Sequence, residues 1–144
     1  MNTKKCSDIM TEDLVYSLPE DPVSKVAQLM KKQDIGPVPI IDNERTRTLV
    51  GIVTDRDLAL KVVAEGRDPQ KTKVEEVMTR KLVTCHADDS VENAMKAMAQ
   101  YQLRRIPVVD DNNRLVGIIS QADVATRVDE PEKTAEVVKE ISQS

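Results

Sequence analysis

The strongest constraint on this chain is that its sequence repeats. Asp8-Ile9-Met10-Thr11 returns as Glu76-Val77-Met78-Thr79, 68 residues on. Leu14-Val15 returns as Leu82-Val83, and Val38-Pro39-Ile40-Ile41-Asp42 as Ile106-Pro107-Val108-Val109-Asp110, at the same 68-residue offset. Leu49-Val50-Gly51 comes back as Leu115-Val116-Gly117 after 66. The two-residue difference falls between Asp42 and Leu49, in a turn, where insertions are tolerated. The 144 residues therefore read as two copies of one unit, within one compact domain or two small intimate ones.

The order expected in each copy is β-α-β-β-α, an α/β (α+β) chain. In the first copy Asp13 to Ser17 fits a strand. Asp21 is placed to cap a helix with Pro22 at its first position. Val23, Val26, Ala27 and Met30 then form one apolar helical face. The helix is expected to stop near Ile35-Gly36-Pro37. Val38 to Ile41 and Leu49 to Val53 read as strands around a turn, and Thr54 caps a second helix through about Glu65. Gly66-Arg67-Asp68-Pro69 ends it and opens a polar linker to Lys73. In the second copy Leu82 to Cys85 is the first strand. Ser90 caps a helix faced by Val91, Ala94, Met95 and Met98. Ile106 to Val109 and Leu115 to Ile119 pair across an Asp- and Asn-rich turn, and Ser120 caps the last helix. Val15, Ile41, Ile52, Val83, Val109 and Ile118 are expected on buried strands. The repeats span residues 6–68 and 74–128. A tail at 129–144 carries Val137, Val138 and Ile141 at helical spacing, facing its own domain or a partner.

Composition removes several functions. Net charge is −4 with pI about 5.1, which disfavours a nucleic-acid partner. Trp and Phe are absent and Tyr occurs twice, so bases have almost nothing to stack on. No apolar run is long enough for a membrane span, and no signal segment follows Met1, so a cytoplasmic location with no membrane partner is expected. Cys6 and Cys85 form no CxxC; they are expected as reduced thiols, a bridge between them being the alternative. Catalysis finds little support. His86, the one histidine, adjoins Cys85, but adjacent strand residues face opposite ways. There is no P-loop, no GxGxxG and no nucleophile elbow. No metal site and no cofactor is expected.

What remains is Gly51-Ile52-Val53-Thr54-Asp55-Arg56-Asp57 and its echo Gly117-Ile118-Ile119-Ser120-Gln121-Ala122-Asp123. Each is a β-branched strand running into a helix start. Thr54 with Asp57, and Ser120 with Asp123, have capping-box spacing, and two helix caps would explain them fully. The same geometry also suits a phosphate, with an acid one turn in to hold ribose hydroxyls. Arg104-Arg105 before the apolar strand is either a solvated pair at a helix end or a phosphate contact. Arg56, in the first turn of a helix, is unfavourable unless an anion is near.

With Met-Thr at its start, a Pro-Ile-Ile-Asp or Pro-Val-Val-Asp strand, and Gly-Ile-Val-Thr-x-x-Asp at its end, the repeated unit resembles a CBS domain. The chain from about Cys6 to Val128 resembles a tandem CBS pair, or Bateman module, like the small stand-alone bacterial and archaeal members. The resemblance implies two repeats related by a pseudo-twofold and packed through their sheets. It implies two clefts that bind AMP, ADP, ATP or a related adenosyl ligand. The ribose acids fall on Asp57 and Asp123, the phosphate-side hydroxyls on Thr54 and Ser120, the base-facing apolar residues on Ile52 and Ile118, and the basic pair on Arg104 and Arg105. Repeat one departs there, with Gly36-Pro37 in place of the arginines, so phosphate charge falls to repeat two or to Arg56. The implied function is a non-enzymatic, energy-sensing regulatory and signalling module, homodimeric through helices such as Pro22–Gln33 or Leu58–Glu65. The alternative is a ligand-free interaction or dimerisation module with an unidentified protein partner.

Overall fold

A computed structural model describes residues 4–127; Val128 and the expected tail at 129–144 lie outside the described residues. The elements run α1 (Cys6–Ile9), α2 (Val23–Gln33), β1 (Val38–Ile41), β2 (Leu49–Val53), α3 (Asp55–Leu58), a π-helical segment Ala59–Val63, a 3₁₀ turn Val74–Glu76, β3 (Cys85–His86), α4 (Val91–Tyr101), β4 (Arg105–Val109), β5 (Leu115–Ser120) and α5 (Gln121–Arg127). The described residues form a mixed α+β fold with two small sheets, β1-β2 and β3-β4-β5.

The compact units cut across the sequence repeats. One unit is Val15–Leu82; the other joins residues 4–14 with residues 83–127. The lead-in of each repeat thus packs with the strands of the other repeat. Its apolar residues explain this: Cys6 and Ile9 are buried with α4, β4 and β5, while Val74, Val77 and Met78 are buried with α2, β1 and β2.

In the Val15–Leu82 unit, β1 and β2 pair antiparallel from Val38↔Val53 to Ile41↔Leu49, with an irregularity between Ile40 and Ile41. β1 is buried along its whole length, as its unbroken apolar run requires, whereas β2 alternates. Ile52 therefore falls on the half-buried face and not in the core as expected. The strand expected over Asp13 to Ser17 shrinks to one bridge, Ser17 to Ile40. On α2, Val23 and Val26 are buried and Leu29 and Met30 pack against the core, but Ala27 is exposed. The N-cap of α2 is Pro22, without a side-chain cap. Asp21 instead accepts hydrogen bonds from Ser17 Oγ (2.7 Å), Leu18 N–H (2.9 Å) and Lys25 Nζ (3.2 Å). The helix ends at Asp34 in the left-handed conformation (φ 53°), two residues before Gly36. The second helix is not one α-helix to Glu65: after α3 it widens into the π segment, where Ala64 N–H bonds the Ala59 carbonyl.

In the other unit, β3 is two residues long and parallel to β4; β4 and β5 pair antiparallel from Arg105↔Ser120 to Val109↔Leu115. Of the strand expected over Leu82 to Cys85, Leu82, Val83 and Thr84 are not strand, and Ile118, like Ile52, lies on the half-buried face. Ser90 caps α4 by accepting from Asn93 N–H, and α4 ends at Gln102 with φ 55°, 68 residues after Asp34. Ala94, Met95 and Met98 of α4 join Ile106, Val108, Ile119 and Val124 in the core.

Candidate ligand-binding sites

Each unit carries one strand-to-helix corner, built the same way. At the first, extended Thr54 ends β2 and starts α3. Its Oγ1 accepts from Asp57 N–H (3.1 Å), and Asp57 Oδ2 accepts from Thr54 N–H (2.9 Å), completing the expected capping box. At the second, Asp123 N–H bonds Ser120 Oγ (3.2 Å) and Ser120 N–H bonds Asp123 Oδ2 (2.9 Å). Ser120 Oγ also donates to Asp123 Oδ2 (3.1 Å). Both acids are nearly sealed, Asp57 at 8% and Asp123 at 7% exposure.

A third partner comes from the lead-in. Thr79 Oγ1 donates to Asp57 Oδ1 (3.3 Å), and Thr11 Oγ1 donates to Asp123 Oδ1 (3.1 Å). Backbone pairs hold these threonines: Ile52 and Thr79 exchange N–H···O bonds of 3.0 and 2.8 Å, and Thr11 and Ile118 bonds of 2.8 and 3.0 Å. The methionine before each threonine lies over the strand glycine. A Cβ on Gly51 would lie 2.6 Å from Met78 Sδ, and one on Gly117 would collide with Met10. Glycine is required here by close approach. Sequence reasoning passed over these threonines as ligands of the acids; the signal was their identity in both copies beside identical methionines.

Lys61 was also passed over. Its Nζ sits 3.0 Å from Asp57 Oδ1 and donates to the Val77 carbonyl at 3.0 Å. The signal was its i,i+4 spacing from Asp57.

The basic residues divide. Arg105 is half-buried on β4, directly opposite Ser120 on β5. Arg104 is exposed, and its carbonyl accepts from Gln121 N–H at 3.0 Å. Arg56 is exposed on α3, with its N–H on Asp55 Oδ1. In the Val15–Leu82 unit, Gly36 stands where the other unit has Arg104, and a Cβ there would lie 3.6 Å from the Asp55 carboxylate. The Gln121 Nε2 atom, next to Ser120, is buried without a hydrogen-bond partner among the described residues.

Other chemistry is sparse. Cys85 is buried and His86 exposed, as strand alternation demands. Among the described residues no three His, Cys, Asp or Glu side chains gather as a metal site, and no helix is long and apolar enough to cross a membrane.

The chain is 39% identical over 135 residues to the CBS domain-containing protein YhcV of Bacillus subtilis, covering 94% of this chain and 93% of YhcV. It resembles the crystal structure of Hypoxic Response Protein I with two coordinated zinc ions, at TM-score 0.76 and 32% identity over 87% of this chain and 99% of that one. It also resembles the CBS domain pair of protein MJ0100, solved with 5′-methylthioadenosine and S-adenosyl-L-methionine, at TM-score 0.71 and 31% identity over 86% of this chain and 94% of that one. The CBS domain itself matches residues 6–64 and 74–130, and the chain belongs to the CBS domain family as a tandem pair.

Proposed function

We propose that the chain is a non-enzymatic regulatory module, acting in the cytoplasm, that binds an adenine nucleotide or a related adenosyl ligand. Asp57 and Asp123 hold ribose hydroxyls, Thr54 and Ser120 face phosphate, and Ile52 and Ile118 lie against the base. The ligand is regulatory and serves no reaction. It acts by favouring one arrangement of the protein over another, through differential affinity.

The observation that carries this reading is Arg105 directly across β4–β5 from Ser120, which starts the turn bearing Asp123. An arginine there adds a fixed phosphate partner to a hydroxyl and an acid. Gln121 Nε2 supports it, since a buried donor without a partner is costly and a ligand acceptor would satisfy it. The adenosyl ligands of the MJ0100 pair support the ligand class. The corner at Asp57 is weaker for phosphate, with Asp55 near the Gly36 position and Lys61 already on the ribose acid. The module works as a homodimer: Leu60 (49% exposed) and Val63 (76%) present apolar surface on the π segment, which a second copy covers.

Calorimetry and thermal shift with AMP, ADP, ATP, adenosine and S-adenosylmethionine test the reading. Binding of at least one raises thermal stability by mass action, and Arg105→Ala weakens ATP more than adenosine. No heat and no shift at millimolar ligand would sink the sensing function and leave the ligand-free interaction module. Light scattering of a stable monomer at micromolar concentration would sink the dimer.

A further inference from the structure

Cys6 and Cys85 play no part in the proposed ligand chemistry, yet they are buried side by side. Cys6 begins α1 and Cys85 begins β3, and both are free thiols in one apolar cluster. The backbone locks them into this approach. Cys6 N–H bonds the Asp89 carbonyl at 2.8 Å and Ser7 N–H the Ala87 carbonyl at 3.0 Å, so the first residues of α1 run along the chain just after β3. Cys85 is held from its other side by its pairing with Val108. The two thiols lie close enough that each shifts the other's proton affinity. Each also reaches a carbonyl: Cys6 Sγ that of Ser90 at 3.7 Å, and Cys85 Sγ that of Pro107 at 3.8 Å.

We propose that Cys6 and Cys85 are an oxidation site: they form a reversible disulfide that staples the lead-in of repeat one to the strands of repeat two. α1 leads directly into Met10, which packs on Gly117, and Thr11, which bonds Asp123. The staple therefore fixes the segment that completes the second corner, whether or not that corner takes a nucleotide.

The oxidant is a small disulfide of the glutathione class. Cys6 is the attacking sulfur because it lies on α1, the short lead-in helix that must open to admit the oxidant; the neighbouring Cys85 thiol also draws its thiol downward, against the upward pull of burial and of Asp89. Cys85 is pushed up, first by the neighbouring Cys6 and then by burial. Cys6 thiolate attacks one sulfur of the small disulfide and expels the other as a thiolate. Cys85, once deprotonated by that leaving thiolate, attacks Cys6 Sγ of the mixed disulfide and expels the second small thiolate, which takes up the proton that Cys6 had released. The protein loses two protons and two electrons, and one small disulfide becomes two small thiols. Burial confines the exchange to moments when α1 opens, so the reaction is slow.

The test uses the full chain, folded, in a series of reduced and oxidised glutathione mixtures. Thiols are trapped by acid and alkylation, then read by intact mass and by non-reducing digestion. The expected product has lost both thiols, carries no glutathione and yields a peptide joining Cys6 to Cys85. Its melting temperature exceeds that of the same sample after reduction by roughly 5–10 °C. Cys6→Ser and Cys85→Ser each abolish the oxidation-dependent rise. The oxidised and reduced wild type carry the comparison if either variant fails to fold. Stable glutathione adducts, disulfide-linked dimers, or thiols that stay reduced in the folded chain at millimolar oxidised glutathione would overturn the proposal. So would a bridge that leaves the melting temperature unchanged or lowers it.

Discussion

Gly51→Ala tests how the lead-ins are held. Gly51 does not adopt a positive φ, so the new methyl meets a problem of space alone. Its Cβ would lie 2.6, 3.0 and 3.3 Å from Met78 Sδ, Cγ and Cβ. Movement of the flexible thioether cannot clear all three contacts, since the last is to the Cβ. Met78 must shift, and with it Thr79, which shares two backbone hydrogen bonds with Ile52 and one side-chain bond with Asp57. Overpacking of this kind costs about 1–3 kcal/mol. Loss of glycine freedom in the unfolded chain returns roughly 0.4–1 kcal/mol. The net expectation is a loss of about 1–2 kcal/mol, read by urea unfolding at unchanged m-value. Met78→Ala alone costs about 2–4 kcal/mol, as expected for a buried methionine. The double variant should cost less than the two losses together by about 1 kcal/mol, because the methyl then occupies the vacated space. Additivity within about 0.3–0.5 kcal/mol, or Gly51→Ala as stable as wild type, would refute the idea that the Met78–Gly51 contact docks the lead-in.

Asp57→Asn should lower stability by roughly 1–2 kcal/mol through the capping box and the Lys61 pair, part of it vanishing in molar salt; a loss independent of salt would remove the ion pair from the account. Gln102→Gly, at φ 55°, should raise stability by about 1 kcal/mol in the same urea assay, and a loss would show that the left-handed helix end is absent. Burial acts upward on Asp21, but its bonds from Ser17, Leu18 and Lys25 hold it below the ordinary carboxylate value. Its contribution is complete above the unfolded value of about 3.9 and is lost as pH falls through the lower folded value. Melting temperatures followed below about pH 4 should therefore fall less steeply in Asp21→Asn than in wild type. An unchanged slope would defeat this.

The fold was legible where local chemistry decides it. β-branched runs marked β2 and β5, the 3.6-residue apolar period marked α4, and both capping boxes stood out by residue type and spacing. It was illegible where two local solutions are equivalent. Met10-Thr11 and Met78-Thr79 are identical, and so are the leucine, valine and glycine they meet in Leu49-Val50-Gly51 and Leu115-Val116-Gly117. Self-similarity thus carries no sign of which copy's lead-in docks on which strands. Chain tertiary packing decides, and it places both threonines across the repeat boundaries. Asp13 to Ser17 misled for a different reason: alternating apolar residues need a neighbour to pair with, and only Ser17 finds one, at Ile40. The stop of α2 misled because Gly36 and Pro37 look like terminators, while Asp34 reaches the left-handed conformation first.

The candidate sites show why a motif of this kind is hard to read. Asp57 and Asp123 have a complete structural role: each closes a capping box and anchors a threonine from the lead-in. Nothing in that role requires a ligand. Two features at the second corner have no such structural explanation. Arg105 faces Ser120 across the sheet although β4 is otherwise apolar, and Gln121 buries an amide nitrogen that has no partner among the described residues. A cap needs neither a half-buried arginine nor a buried donor. An anionic ligand with additional acceptors would use both. The two corners therefore carry different weight: the one at Asp57 is explained by folding alone, and the one at Asp123 is the place where binding should be sought first.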